Sequence, residues 1–318
     1  MLLRVNIFNT SSNLPLLAAM ANGYFEKRDL VIEVQHTPNS NEQRAGLAQG
    51  SFEIAHAAVD NAVAMIEAGN DVVIVSGGDA GMNDFMVRAE INSMQDLRGK
   101  LLAVDAPNTA YALAAKKILK LYGLLENLDY GVKLAGGTGP RSAAMVADPQ
   151  LAAGMINPPF SFAVRERGLK SLGTQFDFLG PYQATGAFVM RQWAATHADA
   201  LERYLAAYIE GHRHVLAPEN RQTMIALLKA SFKLADRVAE GTYDALVKNG
   251  SGLAVDAAFS SEGFNTVLSI RAEMEGLWGG APPAAGKYID LSFYLRALVS
   301  GGTAPAIGGV APETKLVT

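Results

Sequence analysis

The sequence predicts an α/β protein of two lobes, each a mostly parallel sheet flanked by helices, closed by a helical C-terminal third. Three observations carry this. The first half repeats a strand, a polar loop and a helix; the later part turns to apolar residues at 3.6-residue spacing; and 318 residues exceed the roughly 250–300 at which a single core stops growing. With 49% hydrophobic and 18% charged residues the chain can bury a large core, which excludes disorder.

Residues 2–8 read as the first strand, followed by a polar turn and an apolar helical run over 14–21. Residues 30–35 alternate apolar and polar as a second strand, and Thr37-Pro38-Asn39-Ser40-Asn41 caps a helix over 42–49. Residues 52–55 lead to a helix over 62–68, and 72–76 form a short apolar run of the kind found in a buried parallel strand. Another strand is expected at 85–88. Residues 101–104 then start a fresh unit, the second lobe, whose helix over 110–122 is stopped by Gly123. That lobe continues through a strand at 132–134, the Gly136-Gly137-Thr138-Gly139-Pro140 turn, a helix near 142–147 and a strand at 153–156, before Pro158-Pro159. Ser171-Leu172 and a strand at 187–190 follow. Helical periodicity dominates 201–215, 221–232, 235–248 and 264–275, and the Gly, Ala and Pro-rich tail 301–318 is expected to be an irregular surface segment.

Composition narrows the functional classes. Lys+Arg 27 against Asp+Glu 31 gives a net charge of -4, with no basic footprint for nucleic acid or an anionic membrane. Zero cysteines exclude disulfides, iron–sulfur clusters, thiolate zinc sites and cysteine nucleophiles. Residues 5–25 are uncharged but too rich in Asn, Ser and Thr to span a bilayer, so no membrane insertion is expected. Only Arg4 fits a secretory leader, which leaves a periplasmic protein whose leader is absent from this chain, or alternatively a cytoplasmic one.

Six loops follow strands and open helices: Asn9-Thr10-Ser11-Ser12-Asn13, Asn39-Ser40-Asn41, the stretch 56–61, Asp105-Ala106-Pro107-Asn108-Thr109, the stretch 136–141 and Asn157-Pro158-Pro159-Phe160. In open α/β sheets ligands bind beyond the carboxyl ends of the strands, where helix N-termini offer free N–H groups. The six loops are therefore expected to face one cleft, although Ser, Asn and Asp are also ordinary helix caps. The candidate ligand contacts are Asn9, Ser11, Ser12, Asn13, Ser40, His56, Asp60, Asn61, Asn108, Thr109, Tyr111, Thr138, Arg141, Asn157 and Phe160. Arg141 has the fork geometry to grip a carboxylate or sulfonate, unless it is a solvent-facing helix residue. Tyr111 and Phe160 can stack on a planar ligand or serve as core. His212 and His214 are two residues apart and cannot share a metal, so no metal site and no cofactor are expected. Asp60, Asp79, Asp84 and Asp105 are the nearest carboxylates, each of a kind common in caps and turns.

Several segments together resemble a family. Ala21-Asn22-Gly23-Tyr24-Phe25-Glu26-Lys27, Leu30-Val31-Ile32-Glu33-Val34 and Gly50-Ser51-Phe52-Glu53-Ile54-Ala55 resemble the opening of ABC-transporter solute-binding proteins for alkanesulfonates, nitrate and thiamine-pyrimidine precursors. Ile91-Asn92-Ser93-Met94-Gln95-Asp96-Leu97-Arg98-Gly99-Lys100 is similar to the start of their second lobe, Asn157-Pro158-Pro159 to their mid-chain loop, and Arg191-Gln192-Trp193-Ala194 to the return into lobe one. The likeness spans roughly residues 2–215. It implies the two-lobed periplasmic-binding-protein-like fold of type II, with lobe 1 over 1–85 and 188–318 and lobe 2 over 86–187. The lobes would be joined by two crossing strands near 84–88 and 186–190 and would close on a solute by hinge motion.

The function so expected is capture of a small organic solute, anionic or aromatic, in the interlobe cleft for an ABC importer. Its partners would be the solute and a membrane permease, and the protein would work as a monomer. The alternative is a leaderless cytoplasmic enzyme on the same fold, a decarboxylase, lyase or hydrolase, with His56 and Asp60 as its acid–base groups.

Overall fold

The computed structural model describes residues 1–300, and the tail 301–318 lies outside the described residues. The chain opens with three β–loop–α units: strand β1 (Leu2–Ile7) and helix α1 (Leu14–Ala21), β2 (Val31–His36) and α2 (Ser40–Ala48), β3 (Ile54–Ala58) and α3 (Val59–Glu67), then the short β4 (Val72–Ile74). The second unit of the molecule runs through β5 (Asp84–Val87), β6 (Leu101–Val104), α4 (Ala110–Leu121), β7 (Gly131–Leu134), α5 (Thr138–Ala147), β8 (Leu151–Ile156), α6 (Phe160–Arg165), β9 (Lys170–Thr174) and α7 (Gln175–Leu179). Strand β10 (Thr185–Met190) returns to the first sheet. It is followed by α8 (Arg191–Thr196), α9 (Ala198–Leu216), α10 (Arg221–Phe232), α11 (Asp236–Leu246), α12 (Ser261–Glu275) and α13 (Ser292–Ser300).

Two five-stranded sheets result, ordered β2-β1-β3-β10-β4 and β7-β6-β8-β5-β9. In the first, β1 runs parallel to β2 and β3, while β10 lies antiparallel between β3 and β4, with Phe188 opposite both Ala55 and Ile74. In the second, β6 runs parallel to β7 and β8, while β5 lies antiparallel between β8 and β9. Both crossing strands are thus where the family resemblance places them, and each runs antiparallel to its neighbours, so the sheets are mixed. Residues 72–74, expected in a parallel strand, pair antiparallel with β10. A strand buried on both faces loses its alternation whichever way its neighbour runs, so the apolar run carried no direction.

Both faces of each sheet are covered. On the first, Leu3, Val5 and Ile7 pack with Phe25 and with Leu201, Tyr204 and Leu205 of α9, while Ala55, Ile74 and Phe188 pack on the other side against Phe264 and Leu268 of α12. On the second, Phe85, Leu102 and Val104 meet Ala115 and Ile118 of α4, and Met86, Ala103 and Ile156 meet Met145 of α5. The C-terminal helices therefore complete the first layer. Helix α4 stops where the sequence predicts, at Gly123, whose φ of 74° is the left-handed conformation that glycine adopts freely. Helix α5 begins four residues before its predicted start, because Pro140 occupies the first turn, where its missing N–H costs nothing.

The two sheets are held close across the cleft by direct contacts. Ser11 Oγ donates to the carbonyl of Pro158 at 2.8 Å and Ser40 Oγ to Asp105 at 2.8 Å. Lys117 and Lys120 both pair with Glu273, at 2.6 and 3.0 Å.

Candidate functional site

A cavity lies between the two sheets, beyond the carboxyl ends of β1, β3, β6 and β8. Its free volume is about 70 Å³. That exceeds several-fold the roughly 10–15 Å³ needed by one water, and suits a small solute. Ten of the residues singled out from the sequence line it: Ser12, Asn13, Ser40, His56, Asn61, Thr109, Tyr111, Thr138, Arg141 and Asn157.

Five others do not. Asn9 is exposed at the loop's outer side. Ser11 is fully buried and spent on the Pro158 carbonyl. Asn108 faces solvent and gives its carbonyl to Arg271 at 3.1 Å. Phe160 packs in the core with Met86, Met145 and Val164. Asp60, placed in the site by its position one residue before Asn61, instead turns to α12 and forms a buried ion pair with Arg271. The candidate acid–base couple of His56 and Asp60 is therefore not assembled in the cavity. Of the other carboxylates, Asp84 binds Arg165 and Ser171, and Asp79 accepts from the Gly81 amide and the Thr185 hydroxyl.

The cavity is rich in unspent donors. Helices α3, α4 and α5 all start at its wall, with Ala58, Thr109 and Gly137 at their N-cap positions, and none of the three receives a side-chain cap. The Thr109 hydroxyl is directed back to the Ala106 carbonyl at 3.0 Å. Helices α2, α7 and α12 are capped by Asn39, Thr174 and Ser260, while α1, α6 and α8 to α11 also start without a side-chain cap, so what distinguishes α3, α4 and α5 is that their starts share one cavity. Three uncapped helix starts around one cavity leave first-turn N–H groups and the positive ends of three helix dipoles for a ligand.

Arg141 adds a full charge. Its side chain is 3% exposed, and its guanidinium is fixed by carbonyls: Nε and Nη2 donate to Met155 O at 3.2 and 2.9 Å, and Nη1 to Gly136 O at 2.8 Å. No carboxylate among the described residues lies within ion-pair distance of it, and burial pulls its pKa down to about 10, still well above neutrality. Such a buried cation without a counter-ion is ready to receive an anion.

His56 sits at the end of β3, with Nε2 2.7 Å from the Tyr204 hydroxyl and its ring 4.6 Å from that of Tyr208. Burial, reinforced by nearby His212, depresses its pKa to about 3, so the imidazole is neutral and Nδ1 has no partner among the described residues. The carboxamides of Asn61 and Asn157 likewise make no side-chain hydrogen bond, and each leaves a buried oxygen unpaired.

Several lining residues escaped sequence reasoning. Thr10, Ala57 and Ala58 belong to loops that were recognised but were not chosen within them, and Phe8 ends the stretch read as the first strand. Asp105 was weighed only as a cap or turn acid. Thr185 and Tyr208 come from β10 and α9, where the local pattern reads as crossing strand and apolar helix face; nothing local marks them as wall residues.

Among the described residues no group of three or more His, Cys, Asp or Glu is placed to hold a metal, and no helix is long and apolar enough to cross a membrane. No curated protein sequence matches the chain. Among solved structures, the ligand-binding component of an ABC-type import system from Staphylococcus aureus, with zinc bound, superposes with a TM-score of 0.79 at 12% identity, over 93% of this chain and 99% of that one. The alkanesulfonate-binding protein SsuA from Xanthomonas axonopodis pv. citri, bound to MOPS, gives 0.71 at 18% identity, over 87% and 92%. The periplasmic nitrate-binding protein NrtA from Synechocystis PCC 6803 gives 0.73 at 14% identity, over 94% and 88%. At such identities the likeness establishes the fold, that of periplasmic binding proteins. The family model described as NMT1/THI5 like matches residues 10–219, and the chain belongs to the NMT1/THI5-like family.

Proposed function

We propose that this protein is the solute-binding component of an ABC importer and that it captures a small organic anion in the cavity between its sheets. The observation that carries the reading is Arg141, a buried guanidinium with no carboxylate partner among the described residues, set among three uncapped helix starts. A preformed cavity with converging donors and few carboxylates fits capture better than acid–base chemistry. Membership of the family supports it, as do neighbours described as binding alkanesulfonates or nitrate. In this reading the lobes comprise 1–85 with 188–318, and 86–187. They bend at β5 and β10 to admit the solute, and the protein works as a periplasmic monomer that presents its closed form to a membrane permease.

Thermal unfolding against sulfonates, aromatic and aliphatic carboxylates, pyrimidines and nitrate tests it, with each hit recovered and re-assayed afterwards. A ligand at 100 times its dissociation constant adds about 2.7 kcal/mol, enough to raise the midpoint by several degrees. A lasting shift from an anion recovered intact is expected. A shift that decays as the compound is consumed would make the protein an enzyme, and the absence of any anion among the hits would end the reading.

A further inference from the structure

His56 is fixed more closely than a cavity-lining side chain needs to be. It lies in β3 between two strands, opposite Ile7 of β1 on one side and Ala187 of β10 on the other. Helix α9 packs on this sheet and carries Tyr204, Tyr208 and His212 at four-residue intervals, so that all three share one helix face. His56 Nε2 meets the Tyr204 hydroxyl at 2.7 Å, the Tyr208 ring centre lies 4.6 Å from that of the imidazole, and Phe25 stacks on Tyr204 at 5.2 Å. The imidazole is thus held at one corner by a hydrogen bond and beside it by an aromatic ring.

A neutral imidazole carries one N–H, and the Tyr204 contact decides which nitrogen has it. Tyr204 is fully buried, and His56 is the only hydrogen-bond partner of its hydroxyl among the described residues. Were Nε2 to donate, the phenolic O–H would be left a buried donor without an acceptor. Tyr204 therefore donates to Nε2, and the ring proton sits on Nδ1. That nitrogen makes no hydrogen bond among the described residues and is not sealed from solvent, so in a residue that lines the cavity it is the one left open to that space. With the proton on Nε2 instead, Nδ1 would turn a lone pair toward the solute and repel an anion.

Resting on the anion-capture reading, we infer that Tyr204 is a positioning residue that locks His56 in its Nδ1–H tautomer, so that the wall at β3 offers a neutral N–H donor to an oxygen of the solute. Tyr204 does not itself line the cavity and acts only through the ring. The donor selects an acceptor without adding a second charge to that of Arg141, and it requires no proton from solvent.

Long-range ¹H–¹⁵N correlation of the ring nitrogens at neutral pH, with the His56 signals assigned by their loss in His56→Asn, reads the tautomer without any ligand. Nδ1 is expected to be protonated in the wild type, and Tyr204→Phe to shift the ring toward the Nε2–H form. Adding nitrate, methanesulfonate, propanoate or benzoate, whichever binds best, should move the wild-type Nδ1–H signal. By calorimetry Tyr204→Phe should weaken that anion about fivefold, the worth of one neutral hydrogen bond. In a His56→Asn background the same change should cost less than about twofold, whereas a merely structural role of Tyr204 would cost as much in both. An Nε2-protonated ring in the wild type, an Nδ1–H signal unmoved at saturation, or equal losses in the two backgrounds would overturn the inference while leaving anion capture standing. If none of the four anions bound at millimolar concentration, both would fall. The wild-type spectra decide the matter even where Tyr204→Phe cannot be purified folded.

Discussion

Asp60 and Arg271, 211 residues apart in the chain, meet in a two-point buried ion pair, Nε to Oδ1 at 2.8 Å and Nη2 to Oδ2 at 2.6 Å. Arg271 also binds Glu275 one turn along α12 and gives Nη2 to the Asn108 carbonyl across the cleft. The pair thus fixes the C-terminal third to α3, the helix that presents Asn61 to the cavity, and reaches the loop before α4.

Removing one partner of such a pair strands a buried charge, at a typical cost of 3–5 kcal/mol. Asp60→Asn should therefore lower the unfolding free energy by about 3 kcal/mol, since Glu275 still compensates part of the Arg271 charge. Urea denaturation measures this directly, and a loss under about 1 kcal/mol would show that the pair is not a structural anchor.

Arg141 works through both its charge and its fork. Arg141→Met should abolish the affinity for an anionic solute by roughly a hundredfold, in line with loss of a buried charge-assisted contact. Arg141→Lys keeps the charge but cannot place two N–H groups on the Met155 carbonyl, and should cost about tenfold. Titration calorimetry with the best anion of the screen reads both; an unaltered constant in Arg141→Met removes the residue from the site.

Gly137 marks a close approach of the two sheets' loops. Its φ is -58°, which any residue adopts, but an added Cβ would stand 2.9 Å from the Pro38 carbonyl on the opposite side. Gly137→Ala should hold the cleft slightly open. We expect solute affinity to fall at least tenfold while the midpoint of the solute-free protein moves by only a degree or two. Small-angle scattering should then show less compaction on adding solute than in the wild type, and equal compaction would contradict the steric argument.

Acid should weaken the fold well above the range where carboxylates titrate. His56 and His212 are held neutral, with pKa values near 3 and 4 caused chiefly by burial, whereas in the unfolded chain they take up protons near 6.5. Because the folded values are depressed, the unfolded state binds more protons as pH falls, so stability is full above about pH 7 and declines from about 6.5 downward. At pH 5 the loss should be about 2 kcal/mol per histidine. Urea midpoints at pH 8, 6.5 and 5 read the trend, which a flat profile across that window would refute.

Much of the architecture was legible in the residues. Residues 14–21, 101–104 and 221–232 form their elements with the predicted limits, because an apolar period and a flanking stop signal are both local properties. The short α6 and α7 were invisible: five or six residues give too little period to register. Six polar loops at strand ends likewise foretold a cavity, and ten of the residues they suggested line it. What they could not foretell is which polar group was already engaged. Asn39 caps α2 while Thr109 leaves α4 uncapped, though both residue types are good caps, and the difference lies in where each side chain finds a partner.

The sequence by itself determined the alternation of strands and helices and the loops from which a site would be built, since these depend on neighbours within a few residues. Only the tertiary structure decided the site's chemistry. Arg271 withdraws Asp60 from the cavity from 211 residues away, Ser40 meets Asp105 across the cleft, and Tyr208 enters from α9. A charge or hydrogen-bonding group is available to a ligand only if no other part of the chain satisfies it, and that is settled by distances in space, which residue order does not contain.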